Sequence, residues 1–197
     1  MNLVRMKKLI LIAAILLGTA TANAQNKVGQ LSVAPTVGVT YSKASVANQK
    51  FVPGLWAGVN AEYGLTEEFG ASVGLFYSRL GSKHDEAGSG QIKYTYLAMP
   101  ILINYYLWKG LAIKAGVEPA YMLKATDETE GGDAINVKKH HKLFDLAIPV
   151  GVSYEIANIV VDLRYIHGTQ RVNKVTPPEP FKIKHRFQVS AAYKFKF

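Results

Sequence analysis

The segment RFQVSAAYKFKF (186–197) alternates strictly. Phe187, Val189, Ala191, Tyr193, Phe195 and Phe197 fall on one side; Arg186, Gln188, Ser190, Ala192, Lys194 and Lys196 fall on the other. Successive side chains of a strand point to opposite faces, so this reads as a strand with one apolar and one polar face. The same period recurs upstream. FDLAIPVGVSYEI (144–156) sets Phe144, Ile148, Val150, Val152 and Tyr154 against Asp145, Ala147, Gly151, Ser153 and Glu155. LSVAPTVGVTY (31–41), LWAGVNAEY (55–63), FGASVGLFYS (69–78), LAIKAGVEPAYML (111–123) and IVVDLRY (159–165) behave alike, and YLAMPILINYY (96–106) does so less regularly. Eight strands are expected.

Their connections alternate in length. LTEE, WKG and AN join strands two to three, four to five and six to seven. SKASVANQK, GSKHDEAGSGQ, ATDETEGGDAINVKKHHK and RVNKVTPPEP make the other four. An up-and-down sheet with one trimmed end and one elaborated end has this rhythm. Both termini then lie at the trimmed end, and strand eight is expected to pair with strand one.

Alternation is symmetric under turning a barrel inside out. A soluble lipocalin-like barrel puts its apolar face inward around a ligand; a transmembrane barrel puts it against lipid. Three further patterns choose the second. Along the apolar face, Tyr63, Tyr105, Trp108 and Tyr154 gather near the short turns, and Tyr41, Tyr77, Tyr121 and Tyr165 near the long loops. The stretch between is aliphatic, and two aromatic belts around an aliphatic band suit headgroups on either side of hydrocarbon. The polar face carries Glu62, Glu118, Asp145, Glu155 and Asp162 against Lys114, Arg164, Arg186, Lys194 and Lys196, with many small residues between. Such a mixture fits the crowded interior of a narrow barrel. Finally, the strands run about 11 to 14 residues, where about 9 to 11 tilted residues cross a bilayer and soluble strands run about five or six. The expectation is an all-β, eight-stranded antiparallel up-and-down transmembrane β-barrel.

With eight strands, side chains fill the interior. The inward charges are therefore expected to form a salt-bridged plug rather than a pore lining, with Trp56 and Phe76 narrowing it further. Parity suggests Glu118 with Lys114 and Asp162 with Arg164 as partners, or cross-strand partners such as Arg186 instead.

The first 24 residues stand apart: Arg5, Lys7 and Lys8, an apolar run from Leu9 to Leu17, then Ala22-Asn23-Ala24. That is the layout of a cleaved signal peptide, leaving 25–197 as a single barrel domain. Losing those three cations takes the formal charge from +9 to +6. An exported basic protein points away from nucleic acid and toward anionic surfaces. No cysteine is present, so no disulfide holds the fold.

Candidate chemistry is sparse. His140 and His141 lie near Asp127, Glu128, Glu130 and Asp133, but adjacent histidines diverge in an extended segment and the acids lack calcium-loop spacing. His167, with Ser78 or Thr169 as nucleophile, is the imaginable site for a lipid-modifying enzyme. No catalytic constellation, cofactor or metal site is expected.

Taken in order, YLAMPILINYYL, LAIKAGVEPAYML, LAIPVGVSYEI, VVDLRYIHGT and FQVSAAYKFKF resemble the outer-membrane β-barrel family widespread in Bacteroidetes. That family includes PorT-like proteins and is akin to the eight-stranded OmpX and OmpA barrels. The resemblance implies the bacterial outer membrane as location. It also implies that Tyr193, Phe195 and Phe197 form the C-terminal signal read by the barrel-insertion machinery. It implies no single activity. The function expected is a structural or surface-interaction role through extracellular loops, the Lys-rich first and fourth facing lipopolysaccharide or protein partners. Alternatives are an accessory to protein export, a narrow channel, a lipid-modifying enzyme, and a soluble ligand binder.

Overall fold

The computed structural model describes residues 27–43, 49–84, 91–108, 110–128, 134–136, 143–169 and 185–197. The expected signal peptide, the centres of the long loops, and His140, His141, Glu130 and Asp133 lie outside them.

The segments are β1 (Leu31–Lys43), β2 (Gln49–Gly64), β3 (Phe69–His84), β4 (Gln91–Ala98), β5 (Ile101–Trp108), β6 (Leu111–Glu128), β7 (Ala134–Asn136), β8 (Phe144–Ile156), β9 (Ile159–Gly168), β10 (His185–Tyr193) and β11 (Phe195–Lys196). They make eight staves. β4 and β5 are one stave interrupted at Pro100, and β10 and β11 are one interrupted at Lys194. β7 pairs with the outer end of β6. Neighbours along the chain pair antiparallel all the way round. The last stave closes onto the first from Lys43↔His185 to Thr36↔Ala192 and on through Val33↔Phe195. The Phe197 N–H then donates to the Leu31 carbonyl at 2.9 Å. Closure matters physically, because an open edge in hydrocarbon would leave a row of backbone groups unsatisfied.

Proline lacks an N–H, yet the register runs unbroken past Pro100: Phe76↔Ala98 on one side and Val73↔Ile101 on the other. Gly74 N–H donates to the Pro100 carbonyl at 2.9 Å and Met99 N–H to Pro119 at 2.8 Å. The short turns are as tight as their sequences suggest. Gly110 takes φ +86° and Ala157 takes φ +55°, a conformation that an L-residue adopts at a cost of about 1–2 kcal/mol.

At the long-loop end the strands outrun the alternation. β6 continues to Glu128 and β3 to His84, and β2 begins at Gln49. Beyond the lipid both faces meet water, so the two-faced pattern lapses while the backbone ladder continues. In barrels of this kind the short turns face the periplasm and the longer loops the exterior.

The faces decide what the barrel is. Val37 and Leu75 are 58% and 55% exposed, whereas Trp56 is 1% and Glu118 0%. The apolar face looks outward and the charged face inward, which rules out the lipocalin-like alternative. No described helix is long and apolar enough to cross a membrane. The strands are: the eleven residues from Leu31 to Tyr41, tilted about 40°, rise roughly 25 Å, the height of the apolar band of such barrels.

Candidate functional site

Along the lumen two kinds of filling divide the space. Toward the long loops, an apolar cluster of Trp56, Phe76, Leu80, Tyr94, Tyr96 and Met122 is almost fully buried. Trp56 and Phe76 stack with ring centroids 4.2 Å apart and planes 13° off parallel. Gly74 makes this possible, since the Phe76 ring folds over the space a Cβ would need there. Both rings reach the lumen because even-numbered positions of β2 and β3 point inward.

The remaining lumen is ionic. Among the described residues, five carboxylates (Glu62, Glu118, Asp145, Glu155, Asp162) meet five cations (Lys114, Arg164, Arg186, Lys194, Lys196), and the formal charge balances. Nearest the short turns, Lys194 Nζ lies 3.4 Å from Glu62 and 3.2 Å from Glu155, and Lys196 is 2.6 Å from the other Glu155 oxygen. Next, Asp162 accepts from Lys114 at 2.9 Å and from Arg164 Nε at 2.6 Å. Gly151, opposite Arg164 in register, leaves room for its stem: a Cβ there would sit 2.8 Å from Arg164 Cγ. Farther along, Arg186 Nη1 pairs with Glu118 at 3.2 Å and Asp145 lies in the field of the same guanidinium.

Parity placed these side chains but not all their partners. Asp162 does meet Arg164. Glu118 does not take Lys114: Lys114 is engaged by Asp162 from β9, and the cross-strand partner Arg186 takes Glu118 instead. Four residues along an extended strand set Lys114 and Glu118 about 13 Å apart, whereas the two-residue spacing of Asp162 and Arg164 is half that.

One member was missed. Tyr106 points inward, donates to Glu62, and accepts from Lys194 Nζ at 3.1 Å. The Tyr105-Tyr106 doublet held the clue, since an outward Tyr105 forces its neighbour into the lumen. Between these groups a cavity of about 30 Å³ remains, bordered by Ser32, Asn60, Glu62, Tyr106 and Asp162. It has room for a few water molecules at most, far short of a pore.

On the outside, Tyr63, Tyr105 and Trp108 are exposed near the short turns and Tyr154 is half-buried there. Phe69 stacks on Tyr105 at 4.8 Å. Tyr193, Phe195 and Phe197 share the outward face of the last stave, with Tyr193 edge-on to Phe195 at 4.9 Å. Near the long loops Tyr41 and Tyr121 are exposed and Tyr77 and Tyr165 half-buried. Tyr165 bonds His185 Nδ1 at 2.7 Å and packs on Phe187 at 5.3 Å.

The imagined nucleophiles are not assembled with His167. Ser78 faces the lumen while His167 follows the outward parity of β9 beside His185. The Thr169 hydroxyl donates to the Leu146 carbonyl at 2.6 Å. Among the described residues no group of three or more histidine or acidic side chains could hold a metal ion.

A closed antiparallel barrel of eight staves, apolar and ring-belted outside and charged inside, is an outer-membrane β-barrel. The chain belongs to the family described as the outer membrane protein beta-barrel domain, which it matches over residues 23–169. No curated protein matches it in sequence. Solved structures share the fold at low identity. Ail, the attachment invasion locus protein of Yersinia pestis, crystallised with the heparin analogue sucrose octasulfate, has TM-score 0.54 and 14% identity over 85% of this chain and 99% of its own. Neisserial surface protein A has TM-score 0.51 and 19% identity over 86% and 97%. OprG of Pseudomonas aeruginosa has TM-score 0.50 and 12% identity over 87% and 98%.

Proposed function

We propose that the protein is a non-catalytic surface protein whose barrel is a sealed platform for its extracellular loops. The observation that carries this is the lumen, filled by stacked rings at one end and by charge-balanced ion pairs at the other. A conduit would need a continuous wet path and, for ion selectivity, an excess of one charge; neither accompanies this packing. What remains for recognition is the outer wall and the loops, whose lysines in the first and fourth suit anionic surfaces or acidic protein partners. In planar bilayers the purified barrel is expected to give no unit conductance. Steady unitary steps from the folded protein would sink the sealed-platform reading.

Tyr193, Phe195 and Phe197 are, on this proposal, the face read by the insertion machinery, because they are outward, aromatic and on the closing stave. Phe197→Ala removes a ring that is 76% exposed and little native packing. It should slow assembly in cells several-fold while refolding into detergent proceeds as before. Equal slowing in both settings would make Phe197 a structural residue rather than a signal.

A further inference from the structure

The outer wall is hollowed, toward the long loops, into a groove of about 540 Å³. Its floor is apolar, with Val39, Pro53 and Leu55 facing outward from β1 and β2. Its far side carries Arg79 from β3, Lys93 from β4 and Lys124 from β6. The hollow has a local cause. The β2–β3 register shifts between Phe51 and Trp56, and the β4–β6 register shifts between Thr95 and Tyr96. Such interruptions bend a strand and sharpen its twist, and these two flank the groove. The wall stays sealed behind it: the Ser42 hydroxyl accepts from Gly81 N–H at 2.9 Å and donates to Gly81 C=O at 2.8 Å. It thereby takes up backbone groups where the β2 ladder lapses.

The cations are placed, not scattered. Arg79 opposes Thr95, and Thr95 opposes Lys124, so the two cations lie in one row across three staves. Arg79 Nε donates to the Tyr77 hydroxyl at 3.1 Å, and its guanidinium lies 5.8 Å from that ring's centroid. Tyr77 belongs to the aromatic ring nearest the long loops, so the row sits one step beyond it, at headgroup depth. Among strand residues with described side chains, the outward-facing Lys and Arg are Arg79, Lys93 and Lys124, and all of them border this groove. No acid lines it among the described residues. An outward cation near the membrane boundary costs about 0–1 kcal/mol by itself, and Arg79 and Lys124, set in one row, are spaced to share one anion.

We propose that this groove binds a phosphorylated lipid of the outer leaflet, its phosphate held by Arg79 and Lys124 and an acyl chain lying on the Val39–Leu55 floor. Guanidinium and ammonium groups give charge-assisted bonds to phosphate oxygens, and the adjoining apolar strip gives the chain a surface that a free anion would not use. This does not depend on what the loops bind, so either reading can fail alone.

Native mass spectrometry of the detergent-folded barrel, with purified diphosphorylated lipid A as probe, tests it. A one-to-one adduct is expected, reduced at least tenfold by R79Q/K124Q and retained by the charge-keeping R79K/K124R. Heat-modifiable gel migration checks that each variant is folded. Dephosphorylated lipid A should bind the wild-type protein at least tenfold less well, an arm that decides even if the double variant misfolds. An adduct indifferent to the substitutions, or equal retention of the dephosphorylated lipid, would overturn the proposal.

Discussion

Arg186→Ala is expected to destabilise the folded barrel by about 3–5 kcal/mol, because it leaves a buried carboxylate without its partner. Glu118 is 0% exposed and Arg186 2%, and their 3.2 Å contact joins β6 to β10 across the lumen. Asp145 shares the same guanidinium's field, so removing it strands two acids in a low-dielectric interior. Glu118→Gln alone should cost less, since a neutral amide demands less solvation. The pair Glu118→Gln with Arg186→Met should recover part of the loss, because neutralising both members of a buried pair is often close to neutral, while Asp145 still lacks the guanidinium. Urea titration of the folded protein in detergent micelles gives these differences. A loss below about 1 kcal/mol for Arg186→Ala would mean water reaches the upper lumen and solvates the acids.

Trp56→Ala is expected to cost a comparable amount, about 3–5 kcal/mol, for a different reason. The indole is 1% exposed and stacked on Phe76 at 4.2 Å, so truncation removes its buried area, its ring contact and the support of the Phe76 ring over Gly74. The midpoint of heat-modifiable migration should fall accordingly. Conductance should nonetheless stay silent, because the ion pairs around Lys194 and Asp162 close the other half of the lumen independently. Unitary steps in Trp56→Ala would show that the aromatic tier alone seals the barrel.

Much of this molecule was legible because a membrane barrel imposes one rule on every strand. Each stave must show one face to lipid and the other to a crowded interior, so alternation marks eight strands and, with the ring belts, marks which face is out. The short-turn limits came through well: β8 ends at Ile156, as FDLAIPVGVSYEI does, and the turn at Ala157-Asn158 sits where its two residues suggested. The outer limits did not. Past Tyr77 or Leu123 the hydrocarbon ends and no longer demands apolar side chains, and the ladder runs on through residues whose sequence carries no alternation.

Parity alone fixed the inward placement of Glu62, Lys114, Glu118, Asp145, Glu155, Asp162, Arg164 and Arg186, since that depends only on position within a strand. Their partners were decided by tertiary structure, because which charges meet across the lumen depends on the stagger of staves far apart in sequence. Glu118 finds Arg186, 68 residues away, rather than Lys114 four residues along its own strand. Tyr106 joins Glu62 and Lys194 for the same reason. The outer groove, too, needed the fold: its two register shifts are properties of strand pairs, and no single strand's sequence shows that Arg79 and Lys124 stand in one row.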